Sequence, residues 1–134
     1  MESINILGAL IASISSFVIS MIYYSPKVMG AYWIEAVGLK KEKVEGQKIG
    51  MKTTLITTFF LNFLIFSFLS FLFYQLRVHT IVEAIYYTLI VLFFIHAVAF
   101  INSLFEMKNL KLFHINILHD IITFFIGAII LMTV

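Results

Sequence analysis

His119 and Asp120 stand side by side in a run of apolar residues, and Asp120 is the only aspartate among 134 residues. An imidazole beside a carboxylate can pass a proton between its two members or hold a cation. Keeping a charged aspartate at the centre of a bilayer helix costs at least about 2.5 kcal/mol on insertion scales unless the group is neutral, paired or wet. An ionisable residue in such surroundings is a functional candidate by default. Asn116, His119, Asp120, Thr123 and Gly127 also follow i, i+3, i+4 spacing, so a helix gathers them into one polar, small-residue stripe that should face protein or water.

Other chemistries find less support in these residues. The chain has no cysteine, so thiol nucleophiles, thiolate metal ligands and disulfides are absent. His114 and His119 are five apart, which is not the i, i+4 spacing that aims two ligands at one ion. His96 and His119 could ligate a haem between two helices, but no attachment motif accompanies them, and the expected cofactor and metal complement is none. No HExxH segment and no serine or other nucleophile in a recognisable catalytic motif is present, so an enzyme is not expected.

The elements that must position the pair follow from composition. With 62% hydrophobic and 12% charged residues, the chain suits lipid better than water. A spanning helix needs about 20 mainly apolar residues. Such stretches read as residues 4–24, 51–76, 81–103 and 113–132. Runs such as Phe59-Phe60-Leu61 lack the alternation of barrel strands, so the expected fold is all-α: a multi-pass membrane protein built as a four-helix bundle in one domain. Eight of the nine Lys and Arg residues flank the 25–50 loop or the 104–112 turn, and only Arg77 lies on the other side. The positive-inside rule therefore places both connections in the cytoplasm and both termini outside.

Between the first two spans, Ser25-Pro26 suits the end of one helix and the start of another. Val28, Met29, Tyr32, Trp33, Ala36 and Val37 then recur at helical spacing, with Gly38 as the stop, which predicts a short interfacial helix. The mixed-sign stretch 40–48 reads as a solvated turn.

Two segments carry a resemblance. Tyr24-Ser25-Pro26 with Gly30 and Trp33, and the later run from Asn102 through Glu106, Lys108 and Lys111 to Asn116, are similar in order and spacing to the small membrane family known as domain of unknown function 1761. The similarity extends from the first span to the last. It implies a four-span integral membrane protein and brings no activity with it. The pair His119-Asp120 departs from the aromatic residue that the family pattern implies at that place.

Depth along the helices sets what can meet. At 1.5 Å per residue, His96 and Asp120 each lie about 10 Å from the inner ends of their helices, and Ser16, Thr57 and Thr58 fall at roughly 8 to 12 Å. One polar layer of His96, His119, Asp120, Asn116, Ser16, Thr57 and Thr58 is therefore expected across all four helices. Ala12, Ser16 and Ser20 form a small-residue face suited to close helix approach or self-association, and Asn62 is expected to bond across helices. Glu106 with Lys108 and Lys111 reads as a salt-bridged interfacial turn.

Two functional readings follow. In one, the polar layer fixes helix packing, and the protein works by oligomerising or by binding another membrane protein. In the other, the layer relays a proton or cation, making the protein a small channel or transporter. The expected partners are the lipid bilayer and either further copies of the chain or a membrane subunit, with no nucleic acid.

Overall fold

The computed structural model describes residues 3–38 and 48–134. The described residues form five helices: α1 (Ile6–Tyr23), α2 (Gly30–Val37), α3 (Lys48–Gln75), α4 (Ile81–Phe105) and α5 (Leu110–Thr133). Four of them, α1, α3 from Lys52, α4 and α5, are long and apolar enough to cross a membrane, and the short α2 lies between the first two. Helices dominate because in hydrocarbon each backbone N–H and C=O must find its partner within the segment. The outward faces remain apolar, with Phe68, Val82, Phe93 and Phe94 mostly exposed, as a lipid-facing surface requires.

Serine and threonine hydroxyls inside this bundle mostly turn back on their own helix. Ser13 donates to Ala9 O at 2.6 Å, Ser67 to Phe63 O at 2.7 Å, and Thr88 to Ala84 O at 2.7 Å. Each bond removes the cost of a hydroxyl without a partner in apolar surroundings.

At the end that holds the 76–80 connection, all four long helices share one core. Ala9 and Ala12 of α1, Phe66, Leu69 and Phe73 of α3, Val78 and Ala84, and Ala128 and Leu131 of α5 make up this cluster. Asn5 ties the same end together: its side chain caps α1 at Gly8 N, its own N–H reaches Ser70 Oγ at 2.8 Å, and its amide donates to Leu131 O. Phe66 is seated directly on Gly127, where an added Cβ would lie 2.1 Å from the ring.

Short connections suggest that α3 with α4 and α4 with α5 pack as antiparallel neighbours; α4 does pack along α5, whereas α3 touches α4 only slightly. The main contacts are α1 with α5, α4 with α5 and α1 with α3, so α1 and α5 form the centre. The first half of α3 is the least buried part of the four spans: no residue from Lys52 to Ile65 is buried, although Phe59 meets Phe17 of α1 and Phe63 packs against the core, and full burial begins at Phe66. A short turn fixes neighbours only where the chain reverses, and the Gly127–Phe66 contact draws just the far half of α3 inward. On α4 the buried residues Ala84, Thr88, Leu92 and His96 step by four, a narrow row laid along α5.

The turn after α1 also differs from the sequence reading. α2 begins at Gly30, not at Pro26, and its N-cap Met29 provides no side-chain bond. Residues 25–29 instead wrap tightly, with Val28 N and Gly30 N donating to Ser25 O at 3.0 and 2.9 Å. A Cβ at position 30 would stand 2.3 Å from Tyr24 O, so only glycine permits this approach. Gly38 does end the helix, in the left-handed conformation at φ 71°. The 40–48 turn falls almost wholly outside the described residues.

Candidate functional site

Two adjacent residues of α5 can serve both of its neighbours, because consecutive residues on a helix point about 100° apart. His119 turns toward α1 and Asp120 toward α4. His119 Nδ1 lies 2.9 Å from Asp120 Oδ1, while the other carboxylate oxygen, Oδ2, lies 3.6 Å from His96 Nε2. Three ionisable side chains thus line up as a His–Asp–His row across α5 and α4, hydrogen-bonded on the His119 side alone.

α1 completes the His119 end. Ser20 Oγ sits 2.8 Å from His119 Nε2, and Thr123 Oγ1 is a longer neighbour at 3.4 Å. The Tyr23 and Tyr24 rings pack against the imidazole at centroid distances of 5.3 and 5.0 Å. Both phenols are anchored on α5: Tyr23 donates to Ile115 O at 2.7 Å and Tyr24 to Asn116 Oδ1 at 3.0 Å. Trp33 of α2 sets its edge on Tyr24 at 5.9 Å, so the helix outside the spans braces the site.

Burial divides the row. The His119 side chain is 13% exposed, whereas Asp120 keeps 34% of its side chain exposed. The reason is a cavity of about 260 Å³ between α4 and α5, whose polar lining is His96, Ser103, Lys108, Asn109, Asn116 and Asp120. It spans the interval from the 106–109 turn to the carboxylate. His96 Nε2 is buried and has no hydrogen-bond partner among the described residues, its distance to Asp120 being too long for a bond. Edge-on contact with Phe113 at 6.1 Å holds the His96 ring in place.

The proton count at His119 is the telling feature. Ser20 has one hydroxyl proton and two acceptors in reach, Ser16 O at 2.9 Å and His119 Nε2 at 2.8 Å. If the proton goes to His119, the ring is neutral and donates from Nδ1 to Asp120. If it goes to Ser16 O, Nε2 carries its own proton and the ring donates from both nitrogens, to Ser20 Oγ and to Asp120 Oδ1. Both states satisfy the two ring nitrogens of His119 and the Ser20 hydroxyl, so an added proton there requires only the rotation of one hydroxyl. In the doubly protonated ring the added proton sits on Nε2 toward Ser20, and the Nδ1 proton stays shared with Asp120 Oδ1.

Several expected members of the layer lie elsewhere. Thr57 and Thr58 are exposed and line a separate open groove with Gly50, Thr53 and Thr54. Depth along a helix says nothing of its rotation or tilt, and here α3 turns Thr57 and Thr58 outward while Phe59 faces Phe17 of α1. Ser16 is buried and reaches the layer through its carbonyl. Ser20, read as a packing residue, is the partner of His119. Ala12 does pack, but inside the shared core, so the small-residue face of α1 is consumed within the chain and not left for self-association. Asn62 is half-buried, and no hydrogen bond of its side chain is found among the described residues. His114 and His79 are exposed.

At the turn, Lys108 pairs with Glu106, while Lys111 reaches back to Glu35 of α2 at 3.5 Å and lies over the Tyr32 ring. The expected ion-paired turn is therefore split between two partners. Tyr23 and Tyr24 stand at the end of a span, where aromatic residues usually mark the interface, yet both pack against His119. Their role had a weak sequence signal: two aromatic residues followed by Ser-Pro at a helix end.

Four apolar spans, three of which hold the His–Asp–His row and its partners, define a multi-pass integral membrane protein. Residues 7–132 match the family described as protein of unknown function (DUF1761), and the chain belongs to that family. No curated protein and no solved structure matches it.

Proposed function

We propose that this protein is a proton-coupled membrane carrier whose working group is His119–Asp120–His96. The observation that supports this reading best is Ser20 Oγ, placed within hydrogen-bond distance of both His119 Nε2 and Ser16 O. A purely structural polar contact needs one arrangement of protons; this one accommodates two at the same heavy-atom positions. The cavity ending at Asp120 gives the proton a route from the side of the 104–112 turn, which the basic residues assign to the cytoplasm.

The groups facing the row are Tyr23 and Tyr24 from α1 and its end, His96 from α4, and Lys108 at the cavity mouth, whose charge is balanced by Glu106. Beyond Thr123 the described core is built on Phe66, Phe124, Leu69 and Phe73, and the hydroxyls of Ser13 and Thr88 are bonded back to their own helices. A lone copy in this conformation is thus open to one side, which fits a carrier better than a pore. No covalent chemistry and no cofactor enter this reading.

A second reading has its own support, since the Ser20–His119, Tyr23–Ile115 and Tyr24–Asn116 bonds all fasten α1 to α5. Interhelical hydrogen bonds in membranes average about 0.6 kcal/mol, so such a set can secure packing, including packing needed to meet a membrane partner. Proton uptake separates the two. In liposomes containing the protein, a downward pH jump should produce proton uptake that Asp120→Asn and His119→Gln abolish while thermal melting shows the fold retained. Uptake equal to that of protein-free liposomes in the wild type would refute the carrier and leave packing.

A further inference from the structure

We infer that the cavity between α4 and α5 binds a small organic cation, an amidinium, guanidinium or primary ammonium group on a short apolar body. The inference deepens the carrier reading and rests on it for the charged state of Asp120. Asp120 has no Lys or Arg partner among the described residues; its neighbours at ion-pair distance are the two imidazoles. Lys108, which also lines the cavity, is held by Glu106 at the mouth. The cavity therefore offers a carboxylate that wants a cation, and an anion would meet that same carboxylate.

The acceptor geometry narrows the class. With its proton on Nδ1, His96 presents the Nε2 lone pair to the space that Asp120 Oδ2 also faces, and the two atoms are 3.6 Å apart with no donor between them. A group with two N–H bonds can reach both acceptors at once, as forked donors do with paired oxygens. An inorganic divalent ion fits worse: calcium takes six to eight oxygens, and no group of three or more His, Asp or Glu side chains suited to a metal is found among the described residues.

The remaining walls, Ile95, Ala99, Leu112 and Phe113, are apolar and suit the body of the ligand. Its volume of about 260 Å³ lies just below the range of about 300 Å³ and above that drug-sized ligands occupy, so the ligand is small.

Benzamidinium is a suitable probe, with neutral benzamide as its near-isostere. Calorimetric titration of the full chain in detergent micelles should show saturable benzamidinium binding, with benzamide at least tenfold weaker. Asp120→Asn should lose the binding. Ala99→Leu, which fills the cavity without altering a polar group, should also weaken it at least tenfold, with the fold checked by melting. No binding by the wild type, equal binding of benzamide, or binding unchanged in a folded Ala99→Leu protein would each overturn the inference. Proton uptake measured on the same wild-type sample keeps the two readings apart. Uptake without binding removes this inference and spares the relay, and binding without uptake does the reverse.

Discussion

Gly127→Ala tests how the far end of α5 is sealed. The new Cβ would lie 2.1 Å from Phe66 Cε1, 2.6 Å from Cζ and 3.0 Å from Cδ1. Ordinary carbon contacts start near 3.5 Å, so the ring must retreat by more than an ångström. Phe66 is fully buried and packed with Leu69, Phe73 and Phe124, so it has no free space to enter. Overpacking of this kind typically costs about 1–3 kcal/mol. Thermal unfolding in detergent should show Gly127→Ala destabilised to that extent. Phe66→Leu in the same chain should recover much of the loss, although alone it destabilises by leaving a void. A Gly127→Ala protein as stable as the wild type, or strictly additive losses in the double variant, would refute the direct seating of Phe66 on Gly127.

Two further substitutions probe the braces around the site. Gly30→Ala places a Cβ against the backbone at Tyr24 O and Ser25, which cannot swing aside as a side chain would. Limited proteolysis should cut the 25–38 segment faster in this variant, and the Tyr24 contact with His119 should be disturbed; equal cleavage would contradict the tight turn. Lys111→Met removes the Glu35 ion pair and the contact over Tyr32, but both charged groups are about half exposed or more. The loss in melting stability should stay below about 1 kcal/mol and shrink with added salt.

The sequence displayed the spans clearly, since continuous apolar runs and the placement of lysines depend only on composition along the chain. Helix ends moved by a few residues because caps such as Asn109, whose side chain accepts from Lys111 N, start α5 before its apolar run does. The pairing of His96 with Asp120 was legible from depth, because two helices joined by a short turn share a common zero. Thr57 and Thr58 escaped that logic. Their depth was counted along α3 without knowledge of its rotation, which leaves both threonines on an exposed face. Ser20 was sorted by size into a packing face, although its hydroxyl meets His119, a contact between residues 99 apart in sequence that no local pattern reports. Tyr23 and Tyr24 were hidden for a similar reason: an aromatic residue at the end of a span is usually an interface anchor. Gly30, in contrast, stands in the segment that carries the family resemblance, and the close approach at Tyr24 O gives that glycine its physical reason.

The protonation of His119 bears most directly on the central claim. Nitrogen-15 spectra of the imidazole in the reconstituted protein, recorded as pH is lowered, distinguish a neutral ring with one N–H from an imidazolium with two. We expect His119 to gain its second N–H while the fold remains intact, with Asp120→Asn preventing that change under the same conditions. A His119 that keeps a single neutral tautomer at every pH at which the protein stays folded would contradict the relay.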